Sequence, residues 1–169
     1  MIKLINGRGQ LGTALKDLID KEKPNLEATI YHTWNFLEKS ESIQKECFEK
    51  FKYYVNDNPR EKIVFISTYS QADNFYKHYK HLSEDYLLEN QEQGSVIRLP
   101  NLIGKGTCEF FREGKLTPFG EMELMTLSDA AKEVLDFAEN STTRVYTIKR
   151  EIVSAKLVKD LILFGMDGK

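Results

Sequence analysis

Residues 62–67 read Lys-Ile-Val-Phe-Ile-Ser, an apolar run with no polar alternation. A strand with one wet face alternates apolar and polar side chains. An unbroken run suits a parallel strand covered on both faces. Parallel neighbours need crossover connections, which are usually helices. The flanking sequence supplies both. Residues 2–5 form a short apolar run that stops at Asn6-Gly7. Residues 10–21 place Leu11, Ala14, Leu15, Leu18 and Ile19 on one helical face, and Pro24 ends that stretch. Residues 28–34 are β-branched and aromatic and predict a strand. Over 40–55, Ile43, Cys47, Phe51, Tyr54 and Val55 recur at helical spacing, before the Asn56-Asp57-Asn58-Pro59 loop.

The pattern continues after the central run. Residues 74–90 predict a helix and 95–99 a strand ended by Pro100. Residues 101–126 are turn-rich and take no element from pattern alone. Residues 127–138 predict a helix capped by Ser128, and 144–148 a short strand. Residues 154–164 predict a last helix, stopped by Gly165. Strands alternating with helices imply an α/β fold with a mostly parallel sheet, here in one domain spanning 1–169.

Composition excludes several classes. The chain has 169 residues and a formal net charge of −2, unlike the strongly basic balance of nucleic-acid proteins. No apolar run approaches the roughly 18 residues of a membrane span. Two cysteines, Cys47 and Cys108, make no disulfide framework, and His32, His78 and His81 have no metal-ligand spacing. The chain starts on a strand-like run rather than a leader segment, so a reducing, cytoplasmic setting is expected.

Two groups of residues carry chemistry. Gly7-Arg8-Gly9-Gln10-Leu11-Gly12 is a G-x-G-x-x-G turn between a strand and a helix. The first glycine permits the turn, the second lets a pyrophosphate approach the backbone, and the third lets helix and strand pack closely. The helix start offers free N–H groups to phosphate, and Arg8 adds a charge. The same turn is also compatible with tight packing and no ligand. The acidic residue that holds an adenosine ribose, about 20 residues on, has no counterpart in His32-Thr33-Trp34-Asn35. The second group is Thr68, Tyr76 and Lys80. Tyr76 and Lys80 are i,i+4 and share a helix face. A lysine charge beside a tyrosine lowers the phenol's pKa from about 10 and suits it to proton exchange. A surface aromatic beside a solvated lysine is the alternative.

In sequence order these segments resemble the extended short-chain dehydrogenase/reductase family, which includes nucleotide-sugar epimerases, dehydratases and keto-sugar reductases. Residues 5–15 resemble its cofactor turn, and 63–68 its catalytic Ser/Thr strand. Tyr76 to Glu84 matches its Y-x-x-x-K-x-x-x-E helix. Residues 96–106 resemble its R-x-x-N-x-x-G-x-G segment, 123–138 a late V-x-D-x-A segment, and 145–163 its closing strand and helix. The resemblance implies a shortened Rossmann-like three-layer fold with a reduced substrate region within 101–169. It implies Thr68, Tyr76 and Lys80 as catalytic residues. It implies residues 7–12, Gly7, Arg8, Gly9, Gln10, Leu11 and Gly12, as the NAD or NADP contact, and Asn101 as a substrate contact. It implies a nucleotide-sugar substrate; composition and spacing lead to no expected metal, nucleic acid or membrane partner, and a homodimer is also expected. The alternative is a non-catalytic relative that binds a nucleotide or a partner protein.

The departures point one way. The family's spacing is GxxGxxG, and between its first helix and its catalytic strand lie several strand–helix units. Here there is room for one. If residues 28–34 are the family's fourth strand, the adenosine-side strands are missing and residues 2–5 become a sheet edge.

Overall fold

The computed structural model describes residues 1–5, 7–35, 37–69, 73–104 and 106–167, the last three by backbone alone. The predicted stop at Asn6, residues 70–72 after Thr68, and Lys105 of the R-x-x-N-x-x-G-x-G segment lie outside these. The elements run β1 (Ile2–Ile5), α1 (Gln10–Glu22), β2 (Ala28–Tyr31), α2 (Glu41–Asp57), β3 (Ile63–Thr68), α3 (Phe75–Asn90) and β4 (Ser95–Leu99). Then come β5 (Asn101–Ile103), α4 (Thr107–Arg112), β6 (Glu121–Thr126), α5 (Leu127–Asn140), β7 (Val145–Thr147), β8 (Ile152–Ser154) and α6 (Ala155–Asp167).

The main sheet has the order β1-β2-β3-β4-β7 and every pairing in it is parallel. The unbroken run at β3 takes the central place, with Ile63 to Phe65 fully buried. Side chains alternate across the sheet, so the run feeds two cores. Val64 and Ile66 join Leu11, Leu15, Ile97 and Val134 under α1 and α5. Ile63 and Phe65 join Tyr31, Phe51 and Leu87 under α2 and α3. Each such aliphatic or aromatic side chain contributes about 1.5–3 kcal/mol by burial. The result is the expected three-layer α/β arrangement.

The connection from α1 to β2 is short. Lys23 takes a left-handed conformation (φ 48°) ahead of Pro24, which disfavours helix in the residue before it. The chain enters β2 at once and lies directly beside β1. Among the described residues no strand pairs with the other side of β1, so the sheet edge expected there is present.

Several sequence expectations change. β2 stops at Tyr31 instead of continuing to Trp34. The Thr33 hydroxyl, not another ladder bond, donates to Ile5 O at 3.1 Å. Thr126 rather than Ser128 caps α5. Its hydroxyl accepts from Asp129 N at 3.1 Å and donates to the Asp129 carboxylate at 2.7 Å. Ser154 ends β8, and α6 runs through Gly165, since one helical glycine costs only about 1 kcal/mol. The unassigned stretch 101–126 holds β5, α4 and β6. Pro100 cannot continue the β4 ladder, so the chain leaves the main sheet there. β5 pairs parallel with β6, and β6 antiparallel with β8, in a separate three-stranded sheet. Phe111, Met122, Ala155 and Val158 form a small core beneath it.

Candidate functional site

The glycine turn divides its labour by residue. A Cβ on Gly12 would run into the backbone of Gly7, and one on Gly7 into Leu4. These two glycines let α1 sit tightly on β1. Gly9 differs, because beyond its own atoms and its two chain neighbours nothing lies within 4 Å of where its Cβ would be. It is the N-cap of α1, with extended geometry (φ −79°, ψ 174°) and no side-chain cap. There is therefore room beside the backbone where α1 begins, which the approach of an anion to a helix start requires. Leu11 is buried in the core, so only its N–H can serve such a ligand. The Gln10 side chain lies against Gly104, where a Cβ would collide with its Oε1. The turn is thereby tied to the loop after β5.

Gly9 and Arg8 open onto a cleft of about 430 Å³ at the carboxyl ends of β1 and β2. Tyr31, His32, Thr33, Trp34, Asn35, Ile43, Glu46, Cys47 and Lys50 complete it. Ligands of open α/β sheets bind at this end of the strands. Cys47 lines the cleft rather than the core that its helical spacing suggested. Gln44 is fully buried and fixes the rim. Its Oε1 accepts from Trp34 Nε1 at 2.7 Å, and its Nε2 donates to Asn35 O at 2.8 Å and Glu38 O at 2.5 Å.

Lys80 lies beneath that rim, buried on α3. β2 ends opposite Phe65, and the Lys80 ammonium donates to the next carbonyl, Ile66 O, at 2.6 Å. Its Nζ sits 4.7 Å from the Trp34 ring centre and 4.5 Å from that of Phe65. Cation–π attraction offsets part of the lost hydration. Burial still pulls its pKa down to about 7, against the opposing pull of the Glu84 carboxylate and of Cys47. His32 is pushed down to about 4, first by burial and then by the Lys80 charge. His32 Nδ1 and Ser67 Oγ are buried without a hydrogen-bond partner among the described residues. Such atoms are uncommon in folded proteins and mark places where a polar ligand group or water completes the bonding.

Thr68 ends β3 and Tyr76 lies in the first turn of α3. Asn74 starts that helix, its Oδ1 accepting from Lys77 N at 3.0 Å. The fold thus brings Thr68, Tyr76 and Lys80 to one end of β3. The expected electrostatics differ. Burial pushes the Tyr76 hydroxyl above the ordinary tyrosine range, and the depression expected from Lys80 is absent. Lys80 is turned to Ile66 O and the two rings. The Tyr76 phenol therefore keeps its proton at neutral pH. Glu84 of the same helix is structural: buried, it takes a forked contact from Arg98 of β4, with Nε at 3.1 and 2.9 Å from its two oxygens.

A second cleft has a volume of about 600 Å³. It is lined by Tyr69, Pro100, Asn101, Phe111, Phe119 and Met122, among others, between the two sheets. Asn101 is the first residue of β5, and its Nδ2 donates to Glu123 O at 3.4 Å. Asn101 thus lines a cleft separate from the one at Gly9. Sequence reasoning missed His32, Gln44 and Ser67. The available signal was that the strand predicted over 28–34 has its carboxyl end there.

No protein-family model and no curated protein sequence matches the chain. Solved structures do. A hypothetical dTDP-4-dehydrorhamnose reductase from Sulfolobus tokodaii superposes with a TM-score of 0.73 at 19% identity, covering 98% of this chain and 82% of that one. UDP-N-acetylglucosamine 4-epimerase from Bacillus cereus gives 0.72 at 14% identity, covering 99% and 85%. The Bordetella bronchiseptica enzyme WbmG, in complex with NAD, gives 0.77 at 13% identity, covering 98% and 77%. The chain has the fold of these enzymes. At such identities the likeness is one of fold, and it agrees with the Rossmann-like architecture that the sequence resemblance implied.

Proposed function

We propose that this chain is a member of the extended short-chain dehydrogenase/reductase family. Its proposed activity is that of an NAD(P)-dependent oxidoreductase or epimerase acting on a nucleotide sugar, in surface-polysaccharide sugar metabolism. The observation that carries this reading is the open backbone at Gly9. It leads into a cleft lined by Trp34 and by His32, whose Nδ1 has no hydrogen-bond partner among the described residues. A phosphate fits the α1 N-terminus with Arg8, and the ring of a nicotinamide fits the cleft beyond it. The cofactor, when bound, supplies or accepts the hydride. Tyr76, kept protonated by burial, donates a proton to a carbonyl oxygen of the sugar, and Thr68 holds that oxygen. Lys80 keeps positive potential behind the cleft. Asn101 and the cleft around Phe111 and Phe119 take the substrate.

The test couples binding to turnover. Trp34 is the chain's one tryptophan, so its fluorescence reports occupancy of the cleft. Wild type and Tyr76→Phe are expected to bind NAD(P)H equally while only wild type turns over. Absence of binding at millimolar cofactor would sink the reading. A second reading, a non-catalytic nucleotide- or partner-binding relative, is favoured by the Lys80–Ile66 contact and the bare β1 edge. Cofactor binding with no turnover of any nucleotide sugar would favour it.

A further inference from the structure

The two halves of a dinucleotide meet unequal surfaces on this chain. The nicotinamide side has a built cleft: an open Gly9, Arg8, a Trp34 wall fixed by buried Gln44, and buried His32 Nδ1. The adenosine side has none of the usual parts. In this type of fold a strand beside β1 carries the acidic residue that reads the adenosine ribose. Here the only neighbour of β1 among the described residues is β2. β2 runs on into His32-Thr33-Trp34-Asn35, which has no carboxylate and belongs to the nicotinamide-side cleft. On the bare side of β1 there is an open groove of about 430 Å³. Ile2, Leu4, Lys16, Ile19 and Asp20 line it, and it meets the cleft only at Arg8. It runs along the flank of the sheet; its charged residues, Arg8 of the turn and Lys16 and Asp20 of α1, mix both signs and include no carboxylate at a strand end for the ribose.

Resting on the cofactor reading above, we infer that this chain recognises only the nicotinamide–ribose–phosphate half of the dinucleotide. The adenosine half, and with it the 2′-phosphate that separates NADP from NAD, is left unread in solvent. The affinity of a dinucleotide then comes from contacts that nicotinamide mononucleotide also makes. Loss of the adenosine strands has not emptied the site; it has changed the class of ligand that satisfies it, to any nicotinamide nucleotide with a phosphate at Gly9.

Calorimetric titration of the full chain with NAD, NADP and nicotinamide mononucleotide tests this. The three dissociation constants are expected within about tenfold of one another, and Gly9→Ser is expected to weaken all three together. A mononucleotide more than tenfold weaker than NAD would overturn the inference while leaving the cofactor reading intact. So would a gap of more than tenfold between NAD and NADP, because it would show that the β1 groove or a residue near it reads the adenosine. Failure of all three to bind would overturn both readings.

Discussion

Gly9→Ser separates folding from binding at one residue. Gly9 is the N-cap of α1, already in capping geometry, with no side-chain cap and, beyond its own atoms and its two chain neighbours, nothing within 4 Å of its Cβ position. Serine is a preferred N-cap, and its Oγ can accept from a first-turn N–H, a gain of a few tenths of a kcal/mol over glycine. Restricting the unfolded chain adds about 0.4–1 kcal/mol in the same direction. Together they stabilise by about 1 kcal/mol, a rise in Tm of about 2–4 °C for a chain of this size. The same Oγ occupies the N–H groups that would hold a phosphate, and the Cβ fills the approach to the backbone. Loss of one charge-assisted hydrogen bond costs about 1.5–3 kcal/mol, a tenfold to hundredfold weakening. Thermal unfolding and calorimetric NAD(P) titration of the two proteins read both effects. A variant that binds as well as wild type would refute the placement of the phosphate. One that melts lower would refute the reading of Gly9 as an unfilled cap.

Gly12→Ala should do the opposite, because its Cβ meets the Gly7 backbone rather than a movable side chain. A loss of about 1–3 kcal/mol is expected, visible as a lower denaturant midpoint with an unchanged slope. Burial lowers Lys80 from 10.5 to about 7, so between those values the unfolded chain binds more protons than the folded one. Stability should therefore rise with pH across that window, and Lys80→Met should remove the slope; equal wild-type midpoints at about pH 7 and about pH 10 would contradict this. His32, lowered from 6.5 to about 4, acts likewise, so stability should fall as pH drops through that interval, and His32→Phe should flatten the acid limb. Glu84→Gln leaves the Arg98 guanidinium one-third exposed and without its carboxylate. The expected cost is about 2 kcal/mol, below the 3–5 kcal/mol of a fully buried pair, and urea unfolding measures it.

Much of the main sheet was legible because its signals are local. The unbroken run at Ile63–Thr68 announced a central parallel strand, and the G-x-G-x-x-G turn announced the strand-to-helix step from β1 to α1. The reading of β1 as an edge followed from counting: only one strand fits between α1 and β3. The second sheet was not legible, since β5 and β8 have three residues each and are held by pairing with β6 rather than by a pattern of their own. Thr126 was missed as a cap because Ser128, two residues on, is an equally good capping residue type.

The sequence by itself determined the α/β class and the succession of strands and helices that build the main sheet. Periodicity, breakers and the spacing of glycines are properties of neighbouring residues, so they survive without coordinates. Only the tertiary structure decided what Lys80 does. Its i,i+4 spacing from Tyr76 suggested a partner for the phenol. Burial between Trp34 and Phe65, with Ile66 O as acceptor, turns it elsewhere and lowers its pKa. Desolvation and the direction of a long side chain depend on atoms from β3 and the segment after β2 that converge on one point, and no spacing along the chain encodes that convergence.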